Sequence, residues 1–156
     1  MMTLRTPFAK ARVERGFSLV EVLIALIIMS VGMLGIASLY VQSMQAGRTS
    51  LFRHNAVTLA GDVADRIRAN PIAVGAYELA GADFSCTDGT TTCSNVQMAA
   101  QDIFLWDQQA QDTLPNGTVT IVIDQISNPP VYTITVNWDE PGQAQNYTFD
   151  TPIPTF

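Results

Sequence analysis

The chain has 156 residues, enough for one compact domain and an appendage but not for a multidomain machine. The first 16 residues carry Arg5, Lys10, Arg12 and Arg15 against Glu14, a net +3, so with a total of −6 everything after them carries −9. That acidic remainder has no lysine, so it excludes a broad phosphate-binding surface and gives no reason to expect a nucleic-acid partner.

Residues 1–16 read as a short basic leader. Phe17 to Val41 follows as a 25-residue, almost wholly apolar run. As a helix it is roughly 37 Å long against a hydrocarbon core of about 30 Å. A cleaved secretory signal has an apolar region of only about 7–15 residues, so this run is too long for one. Residues 17–41 are therefore predicted to span a membrane once. The basic residues before the span hold the N-terminus in the cytoplasm and send the following domain outward. Glu21, near the start of the run, is the anomaly.

No proline occurs between Phe17 and Asn70, and Asn70-Pro71 is the first breaker pair, so one helix is predicted over 17–70. Over its second half, 42–71, the pattern changes. Phe52, Ala56, Leu59, Ala60, Val63 and Ile67 recur at spacings of three and four, an amphipathic stripe that needs a partner surface. Asp62 and Arg66 are four apart and Asp65 and Arg68 three apart, so both pairs are expected to join along the exposed face.

Residues 72–156 form the remaining domain. Cys86 and Cys93 flank "CTDGTTTC", whose Asp-Gly and threonines read as a turn. In an exported domain a small disulfide loop is the default reading. Structural zinc wants four ligands, and the single histidine, His54, is far away in sequence, so no metal is expected. "MAAQDIFLWDQQAQDTL", 98–114, suggests a helix packed through Ile103, Leu105, Trp106 and Ala110. Asn116-Gly117 is a turn. "TVTIVIDQI" at 118–126 and "VYTITVNWD" at 131–139 alternate and are rich in β-branched residues, and "QNYTFD" at 145–150 is a third strand. The predicted architecture is α+β, a long N-terminal helix packed on a small antiparallel sheet.

The octapeptide "RGFSLVEV", Arg15 to Val22, resembles the class III signal of type IV prepilins. That family has a glycine before the cleavage point, a phenylalanine opening the mature chain and a glutamate as the fifth mature residue; here they are Gly16, Phe17 and Glu21. The stretches Gly16–Ser50 and Ala56–Pro71, with the order Trp106, "LPNG" at 114–117 and "YTITVNW" at 132–138, resemble the PilV type of minor pilin. The resemblance is close over 16–71 and looser over 72–156. Many major pilins have a proline in the first half of this helix, whereas this span has none, so unwinding in a filament would rest on positions such as Gly32 and Gly35.

The resemblance implies cleavage between Gly16 and Phe17 by prepilin peptidase and N-methylation of Phe17. It also implies pairing of Glu21 in one subunit with the Phe17 amine of a neighbour. Self-pairing within one helix is the competing arrangement, because residues four apart share a face. The implied location is the bacterial inner membrane, single-pass with the C-terminal domain in the periplasm, and then the pilus. The implied partners are other minor pilins, the major pilin and the inner-membrane assembly platform. The implied role is initiation of pilus assembly or incorporation at the tip. The nearest alternative is a minor pseudopilin of a type II secretion system, which shares this front end. A further alternative, from another class, is a pilus-borne adhesin or nucleic-acid-binding module.

No catalytic constellation emerges, and no cofactor is expected. His54 lies between Arg53 and Asn55 with no nucleophile at a telling spacing and reads as solvated. Asp102, Asp107 and Asp112 recur at five, which does not line one helix face. Neither these acids nor Asp83 and Asp88 have the spacing of an EF-hand loop. Trp106 and Trp138 read as core anchors.

Overall fold

The computed structural model describes residues 16–89 and 91–153. Its elements in chain order are helix α1 (Leu19–Ala69), a 3-10 segment (Pro71–Glu78), helix α2 (Asn95–Thr113) and strands β1 (Thr118–Asp124), β2 (Val131–Glu140) and β3 (Gln143–Pro152). The predicted α+β arrangement, a long helix packed on a three-stranded antiparallel sheet, is the one found. The chain divides into two compact units, the first ending at Met44 and the second beginning at Gln45.

In the first unit the described residues are all exposed, including the apolar run, whose helix is long and apolar enough to cross a membrane. Ser30 and Ser38 turn their hydroxyls back onto the carbonyls of Ile27 and Gly35, both at 2.8 Å. Inward bonding of this kind hides a serine's polar group from an apolar surround.

In the second unit the amphipathic stripe resolves into two ridges of i, i+4 spacing. Ala56, Ala60 and Ala64 form a ridge of small side chains, and Leu59, Val63 and Ile67 a ridge of large ones; all six are buried. The alanine ridge lets the helix backbone approach what covers it, and the second ridge fills the space beside it. Polar residues close both rows. Asn55, preceding Leu59, donates to the Thr113 carbonyl at 3.3 Å, and Arg68, following Ala64, donates to Thr151 Oγ1 at 2.6 Å.

The sheet is a meander in the order β1-β2-β3. β2 alternates strictly, with Tyr132, Ile134, Val136 and Trp138 buried. The register places Ile121 and Phe149 on either side of Ile134, and Val119 and Tyr147 on either side of Val136, so one face carries the core. The other face carries Thr118, Thr120, Thr133, Thr135, Asn137 and Thr148, and cross-strand bonds link Thr133 to Asp150 and Thr135 to Thr148. β2 and β3 join through Pro141-Gly142, where Gly142 takes φ +91°, a region glycine enters without a side-chain penalty.

Helix α2 starts at Asn95, three residues earlier than the periodicity suggests. Its start is a capping box: Gln97 N donates to Ser94 Oγ at 3.3 Å, and Ser94 N donates back to Gln97 Oε1 at 2.9 Å. On α2, Ile103, Trp106 and Ala110 are buried as expected, whereas Leu105 is half-buried. The segment from Pro71 is a 3-10 helix that buries Ala73 and Tyr77.

Gly117 is a close-approach glycine. A Cβ there would run into the Ala110 carbonyl and lie 2.9 Å from Leu114 Cβ. Both neighbours belong to the end of α2 and cannot give way without moving it. Gly117→Ala is expected to cost about 1–3 kcal/mol by overpacking. Gly142→Ala has open space and differs only by its φ. The comparison of their denaturation midpoints checks this, with Gly117→Ala the lower.

Candidate functional site

The positions expected to be processed, Gly16 and Phe17, lie in the first unit. Residues 1–15 of the expected leader, 1–16, fall outside the described residues. Gly16, Phe17 and Ser18 precede the helix, without regular structure and exposed, and Phe17 is 81% exposed. A backbone clear of helical hydrogen bonds, with no side chain on Gly16, is what a peptidase needs to seat a scissile bond. α1 then opens at Leu19, with Val22 N bonded to the Ser18 carbonyl at 3.2 Å. Glu21 falls in its first turn, where the helix dipole favours a carboxylate. Phe17 and Glu21 share a shallow, mostly apolar hollow with Val22, Ala25, Leu26 and Met29. The helix begins at Leu19, two residues after Phe17.

In the second unit, a cleft is lined by Gln45, Arg48, Thr49, Phe52, Glu140 and Pro141. Thr49 Oγ1 donates to Glu140 Oε2 at 2.6 Å and Trp138 Nε1 to Glu140 Oε1 at 3.1 Å. These two bonds, the Thr49 bond first, hold the Glu140 carboxyl below its usual range, with weaker pulls from Arg48 and Arg53. Arg48 lies 5.2 Å over the Phe52 ring. With both oxygens engaged, Glu140 acts as a brace between α1 and the end of β2 rather than as a base.

A second polar cluster crosses the core. Arg66 Nη1 meets Asp102 Oδ1 at 2.7 Å, and Tyr77 Oη donates to Asp102 Oδ2 at 3.4 Å. Asn70 Nδ2 donates to Tyr77 Oη at 3.3 Å and to the Asn95 carbonyl at 2.9 Å. The Asp62–Arg66 pair expected from helix spacing is not formed. Asp62 is exposed and water serves it, whereas Asp102 is 3% exposed and needs the cation more. The Asp65–Arg68 pair is present at 2.9 Å. Tyr77 is pushed up to about 12, chiefly by burial; the Asn70 amide works against the shift and the Asp102 carboxylate with it. Burial first, then Tyr77 and Glu78, pushes Tyr132 to about 12 as well. Both phenols stay neutral well above neutral pH and act here as hydrogen-bond donors, Tyr132 to the Val74 carbonyl at 2.9 Å.

Cys86 and Cys93 are joined in a disulfide that closes a short, mostly exposed loop. Trp106 and Trp138 are buried at 2% and 3% and serve the core. His54 is exposed on α1. Asp83 Oδ1 accepts from Ser85 N at 2.9 Å, a turn-forming bond within its own loop. Among the described residues no three His, Cys, Asp or Glu side chains gather in a way that would hold a metal ion.

Residues 11–37 match the prokaryotic N-terminal methylation motif, and residues 38–104 match the family model described as type IV pilin Tt1218. By these matches the chain is similar to type IV pilins from residue 11 to residue 104. No curated protein and no solved structure matches it. The methylation-motif match covers Gly16, Phe17 and Glu21, and the pilin match runs from Ser38 through the cysteine loop into α2. The pilin-like front end was thus legible in the sequence. The Arg66–Asp102–Tyr77 cluster was not, because its members come from three elements and share no local spacing. The capping box had a local signal, "SNVQ" at 94–97, that periodicity alone passes over.

Proposed function

We propose that the chain is a type IV pilin, a minor subunit of the PilV type, made as an inner-membrane prepilin with its C-terminal domain in the periplasm. It acts by assembly and not as an enzyme. The observation that carries the reading is the exposed, non-helical Gly16-Phe17 peptide directly before a membrane-length apolar helix, inside the matched methylation motif. Prepilin peptidase removes the leader between Gly16 and Phe17, and the new α-amino group on Phe17 is methylated and keeps its charge. Glu21 then takes a neighbouring subunit's Phe17 amine as its partner. The span leaves lipid for the filament core in company with other minor pilins and the major pilin, at initiation or at the tip. Self-pairing of Glu21 with the Phe17 amine of its own chain is the competing arrangement.

Mass spectrometry of the subunit from sheared pili tests this. The mature chain is expected to begin with N-methylated phenylalanine at position 17. A start at Met1 or Met2 in assembled pili overturns the processing step. Absence from pili, with a processed chain retained beside secretion components, transfers the subunit to a type II secretion pseudopilus.

A further inference from the structure

The two edges of the sheet are treated differently. Along β1, Ile123 N donates to Glu78 Oε1 at 2.7 Å and Val119 N to Asp107 Oδ1 at 3.5 Å, and α2 and the 3-10 segment pack beside the strand. Carboxylates thus occupy main-chain donors that would otherwise recruit another strand. β3 forms the other edge. It pairs with β2 over ten consecutive residues, Gln143 to Pro152, in unbroken register. Among the described residues no side chain bonds to its outer main-chain groups. In an antiparallel strand the main-chain groups not used by one neighbour point to the other side.

Natural sheets blunt such an edge with lysine, an interior proline, a bulge or a cover. β3 has none of the first three: no lysine, no proline before Pro152 and no break in register. Its core-facing rings are also incompletely covered. Tyr147 and Phe149 are only partly buried, whereas Val136 and Ile134, their partners on β2, are fully buried. A strand laid beside β3 would take up the main-chain groups and cover both rings. Charge selects its chemistry. After Arg68 the chain holds ten acidic residues and no lysine, arginine or histidine. The one cation reaching β3 among the described residues is Arg68, already bonded to Asp65 and Thr151. A second copy of this domain would bring like charge to like charge; a basic strand meets a complementary field.

We propose that the free edge of β3 is a docking site for an extended segment of another protein in which apolar residues alternate with Lys or Arg, added as a fourth strand. The apolar positions continue the core face beside Tyr147 and Phe149, and the basic positions lie on the outer face beside Asp150 and Thr148. The site does not depend on the pilus reading.

The test uses the full chain in detergent micelles and three nine-residue probe peptides. One alternates Val and Lys, the second has Glu for every Lys, and the third is the Val–Lys peptide with two central prolines. Hydrogen exchange of β3 amides is read by NMR. In the free chain, alternate amides between Gln143 and Thr151 are expected to exchange fast and to slow about tenfold or more with saturating Val–Lys peptide. The Glu peptide should bind at least about tenfold more weakly, with the difference shrinking in salt, and the proline peptide should give no protection. Thr148→Lys, on the exposed face, should keep the fold by circular dichroism and weaken Val–Lys binding. Three results overturn the proposal. They are no β3 protection by any peptide, equal binding of the Lys and Glu peptides, and outer β3 amides already protected without peptide. In the last case, dependence on protein concentration would assign the edge to a second copy.

Discussion

Glu21→Ala is expected to leave membrane insertion intact and to cut incorporation of the subunit into pili by about tenfold or more. Insertion survives because the change removes a charge from an apolar run, and an acid at the centre of a span costs about 2.5–3.5 kcal/mol on insertion scales. Incorporation fails because, on the assembly reading, the neighbour's Phe17 amine loses its partner in a dry core, and an unpaired buried charge is strongly penalised. Glu21→Gln separates charge from hydrogen bonding. It keeps the side chain's length and its acceptor but not its charge, so it behaves like alanine if the ion pair is what matters. The measurement is the ratio of subunit in sheared pili to subunit in the inner membrane. Normal incorporation of both variants would end the assembly role and move Glu21 to recognition by the processing or methylating enzyme. An assay of Phe17 methylation in the same strains detects that outcome.

The second large effect is an asymmetry across the Arg66–Asp102 pair. Arg66→Ala leaves the Asp102 carboxylate, 3% exposed, without its cation and with only the long Tyr77 contact. That change is expected to destabilise the second unit by about 2–3 kcal/mol. Asp102→Asn leaves Arg66, whose side chain is 51% exposed, free to turn to water and keeps an acceptor for Tyr77. Its cost is about 1 kcal/mol. Chemical denaturation of the two variants, followed by tryptophan fluorescence from Trp106 and Trp138, reads the order directly. A larger loss from Asp102→Asn would mean that the carboxylate is not the buried, costly partner.

What the sequence made legible follows from which interactions are local. The apolar run, the helix ending before Pro71, the stripe on its second half and the alternation in β2 are periodic features, and each appears in the structure where its period puts it. β3 runs to both sides of its predicted core because its pairing with β2 extends to the hairpin at Gly142 and to Pro152, a fact of register rather than composition. Arg66 turned away from Asp62 because a buried carboxylate 36 residues away outbid an exposed one a single turn away. Nothing in a helical wheel carries burial of the partner. Gly117 reads as a plain turn glycine in sequence, and its contact with the end of α2 emerges only in three dimensions.

The cysteine loop is fastened in an unusual way. Among the described residues, nothing between Tyr77 and Ala99 contributes to the buried apolar core. The segment is instead held by main-chain atoms: Ala82 N to the Ala100 carbonyl at 3.0 Å, and Phe84 N to Gln101 Oε1 at 2.6 Å, with the Cys86–Cys93 bridge closing its tip. Main-chain anchors ask almost nothing of the side chains they carry. The exception is Gly81, where a Cβ would lie 2.6 Å from Phe104 N. Exposed loop positions such as Thr87, Thr91 and Thr92 are therefore free to diverge without disturbing folding. This exposed stretch can change while the scaffold beneath it stays unchanged.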